Sequence, residues 1–561
     1  MNQTRLRRNM GALASIAMTS LWASSAFAIP SVVMQQATGQ NAGPQEENGG
    51  PGHEQSTVTY VERDGKVYIV NIYMSSKVDE GYWQCKCSSV ELSPDAAPVT
   101  VADQVQLTNN SNGDRPCNHP KAASDGTNVI WTYGTDEDSA NTRTYVSAVD
   151  HMCNPIADTI RISQNDNNND GAPDIAFNGD GRFTAGYLST GENDTSYAVG
   201  IEVVDLGGGQ LDINKTWHKA VVTPSNIGRP TIVAQDAEYS LFCAAKGNNR
   251  PPEDGVQCAR LDATTGDVLY KQIIAASQPG EKIYMNQPTL VALDNGYFAL
   301  HVLESSGEGK TNNKKGSNIS HDYILSPGAE SFVVNAHEVA LGNYPTHSAT
   351  CSGAYGSEGK VHFASFGAAV TGNSQPLAQF FSYNNSAITD DPEHNTWTVG
   401  WYADSGKLAN LYGANPNNQG RDFLRCIGDV PNPSFGQPNG FLPSVKTFFV
   451  MPHAGRIPGE EKNSQWLSLV PGWTSQPVEA DPPADVKDVQ LGPQGEGPVD
   501  SEPPPAEEPP GDDPPGTDEP TVVNPKTSAG CAAAAGGDFG GLALVGVGLA
   551  LAIGARRRKG V

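Results

Sequence analysis

Through the middle of the chain, apolar and polar positions alternate in short runs, each opened by a proline and spaced 53 to 58 residues from the next. The runs after Pro120 (KAASDGTNVIWTYG), Pro173 (DIAFNGDGRFTAGYLS), Pro230 (TIVAQDAEYSLFCAAKG) and Pro288 (TLVALDNGYFALHVLES) share one form, and Pro345 (THSATCSGAYGSEGKVHFASFG) opens a fifth. A period of two sends successive side chains to opposite faces, which predicts strands. Asp, Asn or Gly at the centre of each run supplies the tight turn of a hairpin. A relative without proline, TVTYVERDGKVYIVNIYM, turns at Asp64-Gly65.

A unit of about 57 residues has room for two more strands, as in Tyr145 to Ile162 and Tyr197 to Asp205. Four strands per repeat, Gly/Asn-rich joints and no helical period predict a propeller blade, whose apolar faces are hidden only against neighbouring blades. The foldable part, 57–473, holds roughly 415 residues, which gives about seven units. The expected fold is therefore all-β: a six- or seven-bladed β-propeller, with seven favoured. Residues 375–473, including FLPSVKTFFVM, supply the less regular units. An array of β-sandwiches is the competing architecture.

Both ends depart from this pattern. Arg5, Arg7 and Arg8 precede an apolar stretch from Met10 to Phe27, and Ala26-Phe27-Ala28 has the form of a signal-peptidase site. Residues 1–28 are thus expected to be a signal peptide cut after Ala28, followed by a polar linker at 29–56. At the other end, residues 474–527 carry 13 carboxylates, two lysines and 14 of the 41 prolines. That composition predicts a disordered, self-repelling stalk. Residues 528–561 run Gly530-Cys531, small residues, an apolar stretch from Phe539 to Ala555, then Arg556-Arg557-Arg558-Lys559. The stretch is near the short limit for a transmembrane helix, and the basic cluster holds its end in the cytoplasm.

This order resembles the MYXO-CTERM sorting signal of myxobacterial surface proteins. The resemblance implies cutting near Cys531 by a sorting protease, lipidation at Cys531, and display at the cell surface or outer membrane.

The net charge of −26 leaves no basic stripe for phosphates, which argues against nucleic acid as a partner. Without Cys531, eight of the nine cysteines remain, an even number suited to disulfides in an exported domain. Cys243 with Cys258 spans a turn-rich segment, and Cys351 with Cys426 is a second pairing. Cys85 and Cys87 point to one side of a strand and are expected to take Cys117 and Cys153, in either order.

The sharpest local motif is Asp166-Asn-Asn168-Asn-Asp170-Gly171-Ala172-Pro-Asp174. Alternating oxygen ligands on a glycine-broken loop suit Ca²⁺, and the order resembles the calcium loop of FG-GAP repeats. By that resemblance Asp166, Asn168, Asp170 and Asp174 would ligate through side chains and Ala172 through its carbonyl.

His119 and His347 sit beside the repeat prolines and His301 lies in the strand after Pro288, where convergence at an axis would make a metal or acid–base site. Arg115, Arg182 and Arg229 near unit starts suit a carboxylate or a rim ion pair. Ser124 to Thr127 imitates a sialidase Asp-box without its spacing. Tyr82-Trp83, Trp397 and Trp401-Tyr402 suit stacking on sugars or packing in blades. No G-x-S-x-G, H-E-x-x-H or Walker pattern occurs. The leading expectation is a calcium-stabilised surface propeller that binds a glycan, matrix polymer or partner protein. A tethered polysaccharide hydrolase or lyase is the alternative, and a structural envelope protein a third reading.

Overall fold

The computed structural model describes residues 33–36, 53–75, 84–108, 117–135, 141–164, 168–190, 194–225, 230–234, 236–246, 255–276, 283–292, 297–306, 318–326, 333–340, 349–355, 360–368, 376–384, 397–401, 423–455, 464–471 and 486–487. Every regular element among them is a strand, and no described helix is long and apolar enough to cross a membrane. Ala28, Cys531 and the apolar stretch 539–555 lie outside the described residues.

The strands form seven sheets in chain order. The first contains His53–Arg63, Lys66–Ser75, Gln84–Ser93 and Ala96–Gln106, with Phe423–Arg425 added in parallel beside His53–Arg63. The second contains Asn118–Ser124, Val129–Thr135, Arg143–Val149 and Ile160–Arg161; the third, Asn169–Gly179, Arg182–Thr190, Thr195–Gly207 and Gln210–Val222. The fourth contains Thr231–Ala234, Tyr239–Lys246, Gly255–Asp262 and Val268–Ala276. The fifth runs from Ile283–Ala292 through Phe298–Ser306 and Asn318–Leu325 to Val333–Ala340, and the sixth from Ala349–Tyr355 to Trp397–Trp401. The seventh combines Ile427–Pro431, Thr447–Gly455 and Ser464–Pro471 with Val33–Gln36 from the other end of the chain.

The first strand of each sheet packs against the first strand of the next, and the seventh sheet returns to the first. This is a propeller-type arrangement, built by the meanders that the alternation predicts. Its apolar side chains lie in the seams between sheets. Ile72, Cys85, Cys87, Val129 and Trp131 fill the seam between the first and second sheets. Ile175, Phe183, Tyr187 and Ile201 pack with Ile130 and Val146 between the second and third. Each large side chain buried this way stabilises the fold by about 1.5–3 kcal/mol.

Aspartates set many of the turns. Asp125 Oδ1 accepts from the amides of Thr127 (2.8 Å) and Asn128 (2.6 Å), and Asp236 Oδ1 from those of Glu238 and Tyr239 (both 2.8 Å). Asp262 does the same for Thr264 and Thr265 in the outer hairpin of the fourth sheet, and Asp150 accepts from the amides of Met152 and Asn154, two and four residues on, in that of the second. A short carboxylate that captures the amides two and three residues on closes the turn by itself. The stretch Ser124 to Thr127 is therefore a hairpin turn.

Three disulfides join Cys85 to Cys117, Cys87 to Cys153 and Cys243 to Cys258. The first two tie the first sheet to the second, and the third links neighbouring strands of the fourth. Cys426 is disulfide-bonded as well, and the strand bearing Cys351 packs against Phe423–Arg425.

Two boundaries differ from expectation. Val33–Gln36 and the start of His53–Arg63, read as linker, are strands. Val486–Lys487, read as stalk, pairs with Glu338 and Val339 at the edge of the fifth sheet. Val33–Gln36 and Val486–Lys487 find partners distant in sequence at sheet edges, and His53 and Glu54 extend the first hairpin opposite Ser75 and Met74, none of which local composition registers.

Candidate functional site

The most unusual chemistry among the described residues lies in the seam between the second and third sheets, around Asp170. Asn169–Gly179 enters this seam with its register broken between Gly171 and Asp174, and Ala172 sits in the bulge at φ 51°. The backbone here is tied to the second sheet. The Asp170 amide donates to the Thr142 carbonyl (2.9 Å), and Thr144 Oγ1 donates to the Asp170 carbonyl (3.0 Å). Arg143, itself buried, donates through Nη1 to the carbonyls of Asn168 (2.6 Å) and Thr142 (3.1 Å).

The Asp170 side chain is 0% exposed, and neither carboxylate oxygen has a donor in hydrogen-bond geometry. The hydroxyls of Ser163 and Ser189 stand nearby. Ser163 Oγ already accepts from the Thr144 amide and Arg161 Nε, and Ser189 Oγ from Asn168 Nδ2, so their own protons are free to turn toward Asp170. Desolvation outweighs these hydroxyls and the charges of Arg143 and Arg161, pushing the Asp170 carboxyl up to about 6.

Beside it, Tyr187 Oη lies 2.7 Å from His218 Nε2, and Tyr197 stacks on both rings. Burial, helped by Lys215, lowers His218 to about 4. Burial and the Asp170 charge raise the Tyr187 phenol. Arg143, Tyr187 and His218 carry no sequence motif: Tyr187 and His218 meet across the strands of the third sheet, and Arg143 joins them only when the second sheet docks.

The expected calcium ligands take different places. Asp166 lies outside the described residues. Asp174 is buried and accepts from the Ile175 amide through Oδ1 (2.9 Å) and from the Ile232 amide of the fourth sheet through Oδ2 (2.8 Å). Asn168 is engaged through its side chain by Ser189 and through its carbonyl by Arg143. Asp170 is the described carboxylate whose oxygens a cation would satisfy, and no group of three or more metal-binding side chains forms among the described residues.

Among the described residues, His119 and His301 belong to different sheets and do not come together. His119 is buried at φ 52° at the start of the second sheet's first strand, and His301 is buried in the second strand of the fifth sheet, opposite Thr289. His347, Arg115, Arg229, Tyr82, Trp83 and Tyr402 lie outside the described residues. Arg182 is a rim residue, donating to Thr264 Oγ1 (2.8 Å) and paired with Asp180 (3.8 Å). Trp397 and Trp401 bound the last strand of the sixth sheet.

No family of known proteins and no curated protein matches the chain. Solved structures are similar to it only at low identity and low TM-score. An α-L-arabinanase from Penicillium chrysogenum, complexed with arabinobiose, is 11% identical with a TM-score of 0.38, covering 79% of this chain and 99% of its own. A GH93 α-L-arabinofuranosidase of Fusarium graminearum with arabinobiose is 9% identical (TM-score 0.36, 79% and 98% covered). A protein of unknown function from Dyadobacter fermentans is 9% identical (TM-score 0.38, 78% and 99% covered).

Proposed function

We propose that the chain is an exported, seven-bladed propeller held at the cell surface, and that it binds a glycan. Seven sheets in a closed succession, each meeting the next through its first strand, support the blade count. Buried disulfides belong to an oxidising compartment and support export.

The observation that carries binding over catalysis is how the described aspartates are used. Asp125, Asp150, Asp174, Asp236 and Asp262 all accept backbone amides, so the ring spends these carboxylates on holding its own shape. A hydrolase is the second reading, and Asp170 favours it, since a carboxyl raised to about 6 suits a general acid. Its burial speaks for a structural role. The same proposal includes cleavage after Ala28, processing and lipidation at Cys531 by a sorting protease and its partner enzymes, and attachment to the membrane there. Mass spectrometry of the mature protein from its native cell tests both ends.

Purified full-length protein is incubated with a polysaccharide panel that includes arabinan. Retention without new products is expected. Oligosaccharide release that Asp170→Asn abolishes would establish the hydrolase instead, and neither retention nor release would overturn both.

Calcium is proposed at the same loop, with Asp170 as the central ligand and Asp166 and Asn168 beside it. There a cation would satisfy the two Asp170 oxygens that no donor reaches and would fasten the second sheet to the third. A rise in melting temperature on adding Ca²⁺, absent in Asp170→Asn, is the expected result. Identical curves in Ca²⁺ and in chelator would remove calcium from the reading.

A further inference from the structure

One loop of the seventh sheet stands apart from its counterparts. The first two strands of the other well-described sheets are joined by tight turns, at 64–65, 125–128 and 180–181. In the seventh, Ile427–Pro431 and Thr447–Gly455 are joined by residues 432–446. A connection this long in a compact fold usually serves a function.

The loop is rigid and built from within. Asn432 Nδ2 donates to the carbonyls of Phe441 (3.2 Å), Leu442 (3.1 Å) and Val445 (2.8 Å), while its Oδ1 accepts from the Ser434 amide (3.1 Å). The Gly436 amide donates to the Pro443 carbonyl (2.8 Å), cross-linking the two limbs. Below, Ser434 Oγ donates to the Ser93 carbonyl of the first sheet (2.7 Å). A Cβ at Gly440 would meet Ser434 Cβ at 2.6 Å and the Pro94 carbonyl oxygen at 2.8 Å, so the loop lies flush on the first sheet. Phe441, Leu442 and Val445 turn inward and pack with Phe448.

Phe435 turns the other way. It is 50% exposed, and Gly436, Gln437, Pro438 and Asn439 beside it are exposed too. An apolar side chain is thus displayed on a scaffold that has already lost its conformational freedom, so little further entropy is lost when something docks. Two carboxamides, Gln437 and Asn439, follow Phe435 in the same exposed stretch, and each offers a donor and an acceptor.

We infer that loop 432–446 is a carbohydrate platform: Phe435 stacks against the C–H face of a sugar ring while Gln437 and Asn439 hydrogen-bond its hydroxyls. The charge pattern selects the glycan class. The loop's one charged residue is Lys446, and the whole chain carries −26, so an anionic polymer is repelled and a neutral polysaccharide is not. The inference rests on the glycan-binding reading and deepens it by naming the surface and the chemistry of the ligand.

The experiment is native affinity electrophoresis of the full chain in gels containing dextran, barley β-glucan, arabinan or, as the anionic polymer, alginate. At least one neutral polymer should retard the wild type. Phe435→Ala should weaken that interaction about tenfold or more, as loss of a central aromatic anchor does. Phe435→Trp should preserve it, and Gln437→Ala/Asn439→Ala should weaken it less than Phe435→Ala. Circular dichroism and melting temperature should stay unchanged in all variants, because the side chains are exposed. If Phe435→Ala migrates like the wild type in the retarding gel, the platform is wrong while glycan binding stands. If no neutral polymer retards the wild type, both fail. Stronger retardation by alginate would overturn the neutral ligand.

Discussion

The seam between the first and second sheets and the seam between the third and fourth do the same job with different chemistry. The first is covalent: Cys85–Cys117 and Cys87–Cys153 cross it inside an apolar cluster. The other sets buried polar contacts beside an apolar cluster of Trp217, Ile232, Phe242 and Leu261. Asp174 reaches from the third sheet to the Ile232 amide, and Asn178 Nδ2 donates to the Asp236 and Tyr239 carbonyls and to Ser240 Oγ (3.2, 3.3 and 2.8 Å). Thr184 Oγ1 donates in turn to Asn178 Oδ1 (2.8 Å). A covalent seam restricts the unfolded chain and tolerates imprecise packing. A polar seam stabilises only while each partner is in place, because every lost partner leaves a buried group unsatisfied.

The largest expected effect comes from cutting the covalent seam. Loops of 32 and 66 residues are closed there, and replacing either cysteine pair by alanine should cost about 4 kcal/mol in urea denaturation. Cys243–Cys258 closes 15 residues within one sheet and should cost about 3 kcal/mol. Equal or inverted losses would undo the distinction between a tie across sheets and a tie within one.

On the polar seam, Asp174→Ala removes the carboxylate to which the Ile175 and Ile232 amides donate and should lower stability by about 2–3 kcal/mol by the same measurement. Asp174→Asn keeps one acceptor and should cost less. Asn178→Ala should cost about 1–2 kcal/mol. A neutral result for all three would mean that apolar contacts alone hold that seam.

The smallest effect is a pH slope. His218 is neutral in the fold, its pKa lowered to about 4 by burial and Lys215, among Tyr187 and Tyr197. Above the ordinary histidine value it is uncharged in both states and contributes nothing. As pH falls from about 6.5 toward 4, the unfolded chain takes up the proton first, so stability is lost across that window, by about 1 kcal/mol or less in all because solvent screens the half-buried ring. His218→Gln should flatten that part of the curve. A variant as steep as the wild type would show that other groups set the acid limb.

The hairpins were legible because a period of two and a turn residue are local signals. The pairing of Cys243 with Cys258 was legible too, since those residues face each other across a short hairpin. Which of Cys85 and Cys87 takes Cys117 was not, because both lie on one face and the choice depends on how two sheets dock. Val33–Gln36 escaped notice because four residues carry no pattern until Ser464–Pro471 offers them an edge. Around Asp170 the motif was visible but its surroundings were not: Arg143, Tyr187 and His218 come from three other strands. Phe435 gave no signal, since a lone aromatic in a Pro/Gly-rich stretch looks the same whether displayed or buried.

That N-terminal strand has a mechanical consequence. Ser464–Pro471 lies between Thr447–Gly455 and Val33–Gln36, antiparallel to both, and the chain leaves the seventh sheet just after it. Tension applied to the chain beyond Pro471 pulls that strand along its own length. The hydrogen bonds on its two sides then share the load in shear and must break together, instead of opening one after another like a zipper. Once the short pairing of Val486–Lys487 with the fifth sheet gives way, Ser464–Pro471 is the strand that takes such a load, and its grip depends on residues laid down at the opposite end of the polypeptide.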